Sequence, residues 1–240
     1  MLYGFLTLAA CSLTAPPDPA APPAQALSAD QAAPPRQAAP PDPAAPALRT
    51  AATLPAGEGW LILQRDARLT DAEVEARWGR GDDPDPALLP ARIRWLDKAG
   101  AERGALVLDR PLARINPSPL EGVPLSWLLT EDWSAGVGGG NGPVTSVLEI
   151  RSGALQRAEA IRADGQRAPI HLLSALQAAW RLDRSASPDV LIAAICVPDA
   201  GGDMDTERRR YAFDGRWRVT AEQTDGCDDP AASLRPQPDR

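Results

Sequence analysis

His171 is the only histidine in this chain of 240 residues, so any chemistry that needs an imidazole falls on one position. A Ser-His-Asp arrangement requires a base oriented by a carboxylate beside an activated serine, and no Gly-Xaa-Ser-Xaa-Gly elbow occurs. A zinc site built on His171 is short of ligands. The segment Gly136-Val137-Gly138-Gly139-Gly140-Asn141-Gly142-Pro143 has the look of a phosphate cradle, but it has no Gly-Lys-Ser/Thr ending and no dinucleotide-type glycine spacing, and it runs into a strand rather than a helix. A flexible connection is its plain reading. The sharper one is a ligand loop comprising Gly138, Gly139, Gly140 and Asn141 between Trp127, Trp133 and the next strand, where glycines admit a ligand to the backbone and indole rings offer stacking area, as carbohydrate sites require. Asp199, Asp203, Asp205 and Glu207 form an acidic stretch without the glycine and distant glutamate of an EF-hand, and read as a solvated loop. Asp82-Asp83-Pro84-Asp85-Pro86 reads the same way. No pair of acids stands out as a glycosidase couple, so no catalytic residue, cofactor or metal is assigned.

These residues must be carried by strands. Trp60 to Gln64 is a compact apolar run, and Ala91 to Leu96 alternates Ile93 and Trp95 with Arg92 and Arg94, as a half-buried strand does. The turn Asp97 to Gly104 returns into Ala105 to Leu108. Further strands are expected at Leu125 to Thr130, Val144 to Arg151, Leu155 to Ile161, Val190 to Val197, Arg210 to Phe213 and Trp217 to Thr220. Asp164-Gly165 and Asp214-Gly215 supply tight reversals. At the second, a bulged loop one residue longer than the minimum sets Phe213 beside Trp217 and Tyr211 beside Val219, collecting the aromatics on one face. Thr70-Asp71-Ala72-Glu73 is a capping box opening a short helix to about Trp78. Leu172, Leu173, Leu176, Ala179 and Trp180 recur at helical spacing, predicting a second helix over Ile170 to Leu182. The expected fold class is α+β: a mainly antiparallel sheet with one or two packed helices, preceded by a disordered Ala/Pro-rich tether.

That tether runs from Ser12 to about Ala47 and is nearly all Ala, Pro, Gln and Asp, with prolines paired at 16–17, 22–23, 34–35 and 40–41. It lacks large apolar side chains to offset the entropy of ordering, and its prolines block helix and ladder alike. Extended at about 3.1 Å per residue, it reaches roughly 100 Å. Ahead of it lies the apolar run Leu2 to Ala10, ending Leu8-Ala9-Ala10-Cys11. This resembles the lipobox of bacterial lipoproteins, although the usual basic residue before the run is missing. The resemblance covers residues 2–11 alone. It implies that residues 1–10 are a signal peptide, that Cys11 becomes an acylated N-terminus, and that two or three acyl chains hold the protein on a membrane. Ser12, not Asp, follows the cysteine, which tilts the expected location toward the outer membrane, at its periplasmic face. With Cys11 committed to lipid, Cys196 and Cys227 are left as an even pair in an oxidising compartment, where a disulfide is expected.

The division expected is therefore a signal at 1–10, acylated Cys11 and tether at 11–50, one α+β domain at 51–228 and a disordered tail at 229–240. A formal net charge of −7 argues against nucleic acid as a partner, and beyond the signal no apolar run is long enough to span a bilayer. The functional expectation is an anchored envelope protein that binds a protein partner or a wall glycan, membrane-bound through its lipid. The alternative is a cell-envelope hydrolase using dispersed carboxylates.

Overall fold

The computed structural model describes residues 47–81, 85–134, 141–227 and 229–234. Acylation of Cys11, nearly all of the expected tether, and Gly138, Gly139 and Gly140 of the expected ligand loop lie outside them. In chain order the strands are β1 (Leu48–Ala56), β2 (Gly59–Asp66), β3 (Arg92–Leu96), β4 (Glu102–Val107), β5 (Ala113–Ile115), β6 (Ser126–Asp132), β7 (Pro143–Arg151), β8 (Ala154–Arg157), β9 (Glu159–Ile161), β10 (Arg167–Pro169), β11 (Leu172–Leu173), β12 (Ala178–Asp183), β13 (Val190–Pro198), β14 (Met204–Phe213) and β15 (Trp217–Thr224). Among the described residues there is one α-helix, α1, at Asp71–Arg77 between β2 and β3.

The expected α+β class is overturned. Strands account for 52% of the described residues and helix for 6%, in three sheets of a β-sandwich-like fold. One sheet has the order β1-β2-β3-β4, a second β11-β7-β6-β5 with β8 also on β7, and a third β10-β9-β15-β14-β13-β12. All pairings are antiparallel except β15 with β9, where Trp217 lies beside Ala160.

The second sheet is the middle layer, and its side-chain alternation shows why. Trp127 and Leu129 of β6, with Leu148 and Ile150 of β7, join Leu54, Leu61, Leu63 and Ile93 of the first sheet in one core. Leu128 and Val147, pointing the other way, join Leu191, Ala193, Tyr211 and Trp217 of the third sheet in another. With both faces covered, residues 145–150 of β7 are buried without interruption, the near-continuous pattern of a central strand rather than the alternation of a solvent-facing one. Each Leu or Ile so enclosed contributes about 1.5–3 kcal/mol relative to exposure.

The expected helix at Ile170 to Leu182 is the main local correction. The segment forms β11, a reversal closed by an Ala175–Ala178 bridge, and β12. Leu172 pairs with Thr145 of β7 and is fully buried, whereas Leu176, a member of the presumed helical stripe, is 84% exposed at the reversal. Ladder hydrogen bonds to β7 and β13 decide the conformation, overriding helical spacing.

Other local expectations are met. Thr70 caps α1, its hydroxyl accepting from the Glu73 N–H at 3.2 Å while the Glu73 carboxylate accepts from the Thr70 N–H at 2.7 Å. The β14–β15 hairpin has the bulged register, with Phe213 opposite Trp217 and Tyr211 opposite Val219. Its Gly215 takes φ +90°, a left-handed conformation that suits glycine. Cys196 and Cys227 form the expected disulfide, with a Cα–Cα distance of 5.5 Å. Beyond it, where a disordered tail was expected, Ala232–Leu234 makes a 3-10 turn, and Leu234 packs on Val190, Ile192 and Ala194. A single large apolar side chain reaching an uncovered patch of β13 is enough to order that turn. Among the described residues no helix is long and apolar enough to cross a membrane.

Candidate functional site

Past the edge of the core between the first and middle sheets, the face occupied by Trp127 and Leu129 continues with polar residues. Register assembles them. Glu131 of β6 lies opposite Val144 of β7, and Leu129 lies opposite Ser146. Arg157 of β8 lies opposite Leu148. His171 precedes Leu172, which pairs with Thr145, so it falls one step along the ladder, beside Ser146. Together with Asp109, which follows β4, and Trp133, which follows β6, these side chains line a cleft of about 250 Å³.

An ion-pair network holds the cleft. Glu131 is buried, at 4% exposure; one carboxylate oxygen accepts from Arg157 Nη2 and the other from the Asp109 N–H at 2.9 Å. The second arm of the Arg157 guanidinium donates to Asp109 Oδ2 at 3.0 Å. A buried carboxylate with a donor on each oxygen is satisfied rather than stranded, which is the condition for tolerating charge at that depth. Burial of the imidazole, reinforced by the Arg157 cation, lowers the His171 pKa below its ordinary value, while Glu131 and Asp109 oppose that shift. Ser146 is 4% exposed, and among the described residues its hydroxyl has no hydrogen-bond partner.

Trp133 is positioned from both sides. The Arg110 guanidinium stacks 4.1 Å from its ring centroid. The preceding Asp132 accepts from the Gly79 N–H at 2.8 Å through one oxygen and from the Ser134 N–H at 3.0 Å through the other. The indole therefore stands as a fixed wall of the cleft.

Only part of the expected ligand loop comes together here. Trp127 is 2% exposed, inside the core, and offers no stacking face; Trp133 does border the cleft. Asn141 is exposed. Gly142, at the end of the glycine run, has a packing reason to be glycine: a Cβ there would lie 1.9 Å from the Ser174 carbonyl oxygen. Of the acidic stretch, Asp199 Oδ1 accepts from the N–H groups of Gly201 and Asp203 at 2.9 and 2.7 Å, making a turn, and no group of acids, histidines or cysteines among the described residues could hold a metal ion.

Asp109, Glu131, Ser146 and Arg157 were not singled out from the sequence. One signal was available: in Trp127-Leu128-Leu129-Thr130-Glu131 a charged residue takes an inward position of the alternation, which costs stability unless it is paired. Compared with protein-family models, curated proteins and solved structures, the chain matches none.

Proposed function

We propose that this chain is a lipid-anchored protein of the bacterial envelope, displayed at the periplasmic face of a membrane, whose folded domain acts by binding, and that the Trp133 cleft receives a sugar ring of a wall glycan. One observation carries the ligand assignment: a rigid indole wall beside a polar floor that includes the Ser146 hydroxyl, without a partner among the described residues. An apolar sugar face packs on the indole while ring hydroxyls donate to carboxylates and bond to serine. A volume of about 250 Å³ suits one ring, not an extended chain. The anchor rests on the lipobox-like Leu8 to Cys11, and the Cys196–Cys227 disulfide supports an oxidising compartment.

Hydrolysis by Glu131 and Asp109 is the competing reading, because two acids do meet at this cleft. Both, however, receive N–H donors from Arg157, and a general acid needs a carboxyl free to hold and deliver a proton.

The test is co-sedimentation of the full chain, solubilised in neutral detergent, with purified cell-wall sacculi. Wild type is expected to pellet and Trp133→Ala to stay in solution. Equal pelleting of the two, or release of soluble fragments from the wall, overturns the reading.

A further inference from the structure

We infer a second site, for an oxyanion, in the groove between the β7–β8 hairpin and β9, β10 and the β14–β15 turn of the third sheet. The groove is about 400 Å³ and is bordered by Arg151, Arg157, Arg167 and Arg216 against Glu149 and Glu159. In a chain of net charge −7, an excess of cations in one concavity runs against the general balance.

The four guanidiniums are not equivalent. Arg157 is engaged by Asp109 and Glu131 on the cleft side and adds little to the groove's field. Arg151 bonds a neutral partner, the Gly215 carbonyl at 3.0 Å, which ties the end of β7 to the β14–β15 turn and keeps its charge. Arg167 and Arg216 are exposed and form no ion pair among the described residues. Arg151, Arg167 and Arg216 share the groove with Glu149 and Glu159, yet none of the three is ion-paired among the described residues, and the three cations repel one another. A carboxylate or phosphate between them relieves that repulsion and accepts forked N–H donors in the geometry guanidinium favours. Glu149, buried at 4% exposure and accepting from Gln156 Nε2 at 2.8 Å, sets the opposite wall, where a ligand N–H or O–H finds an acceptor. The oxyanion therefore enters at the Arg167–Arg216 end.

The site is tested by calorimetric titration of the full chain in neutral detergent with inorganic phosphate, succinate and glycerol phosphate. Saturable binding of at least one is expected, weakened at least about tenfold in Arg167→Ala/Arg216→Ala, since charge-assisted hydrogen bonds are the strong ones, and reduced by added salt. Trp133→Ala is expected to bind as wild type does, so failure of the glycan reading leaves this site standing. Glycerol phosphate binding at least tenfold tighter than phosphate identifies a lipid headgroup as the source, and equal or weaker binding a soluble anion. Unchanged urea midpoints of the double variant show that the fold is intact. No saturable binding of any of the three, or equal affinity in the double variant, overturns the inference.

Discussion

Replacing Gly142 by alanine separates a packing role from a ligand-loop role at the end of the glycine run. The added Cβ would lie 1.9 Å from the Ser174 carbonyl oxygen, 2.9 Å from its carbon and 3.2 Å from the Ala175 Cβ. An ordinary carbon–oxygen contact begins at about 3.3 Å, so the two backbones must part by roughly 1.4 Å. They are joined by the Ser174 N–H donating to the Pro143 carbonyl at 2.9 Å, a bond that does not survive such a displacement. Overpacking costs about 1–3 kcal/mol and the lost hydrogen bond about 1 kcal/mol, so about 3 kcal/mol is expected. With a urea slope near 2–3 kcal/mol/M, the unfolding midpoint falls by about 1–1.5 M. Gly215→Ala is the control, because a Cβ there meets nothing within 4 Å but sits at φ +90°, for which strain of about 1 kcal/mol is expected. The reasoning fails if Gly142→Ala unfolds at the same urea concentration as Gly215→Ala, or higher.

Trp127→Ala, in the core, should cost about 3–5 kcal/mol, whereas Trp133→Ala should cost no more than about 1 kcal/mol, chiefly its stack with Arg110; urea unfolding of both variants checks the contrast, and equal losses would contradict it. Replacing Cys196 and Cys227 by serine opens a loop with a sequence separation of 31, for which the chain-entropy model gives a loss of about 3.5 kcal/mol, readable as a lower midpoint than that of the oxidised protein. His171 should titrate below the ordinary histidine value of about 6.5, followed by its ring signals in NMR. Its folded pKa is lowered, so the unfolded state binds the proton more readily, and stability from this group is present above the unfolded value and declines as pH falls through it. Glu131→Gln removes a carboxylate that opposes the shift, and should move the His171 midpoint lower still; an upward movement would contradict the electrostatic account.

What could be read from the residues follows the range of the interactions involved. The Thr70 to Glu73 capping box and the Phe213 to Trp217 hairpin depend on partners a few residues apart, and both expectations match the structure. The segment at Ile170 to Leu182 departs from the helix its sequence predicts: Leu172, Leu173, Leu176, Ala179 and Trp180 satisfy helical spacing, while the period of two in Ala178, Trp180 and Leu182 acquires meaning only when β13 lies alongside. No capping signal introduces that stretch, and its Leu176 is spent on the reversal. β1 begins at Leu48, where Ala51, Ala52 and Pro55 resemble the preceding tether; it is the Leu54–Leu61 pairing with β2 that makes it a strand, and an edge position that lets it carry Pro55. The candidate cleft was legible only through Trp133. Glu131, Ser146 and Arg157 come from separate strands and His171 from the residue before β11, and their convergence is a product of register in the middle sheet.

The most direct test of the central proposal, a lipid-tethered envelope protein, is the intact mass and non-reducing peptide map of the chain extracted in detergent from its native membrane. The account expects an N-terminal acylated Cys11, residues 1–10 removed, and Cys196 linked to Cys227. A chain that retains residues 1–10, carries no lipid and has free thiols would contradict it.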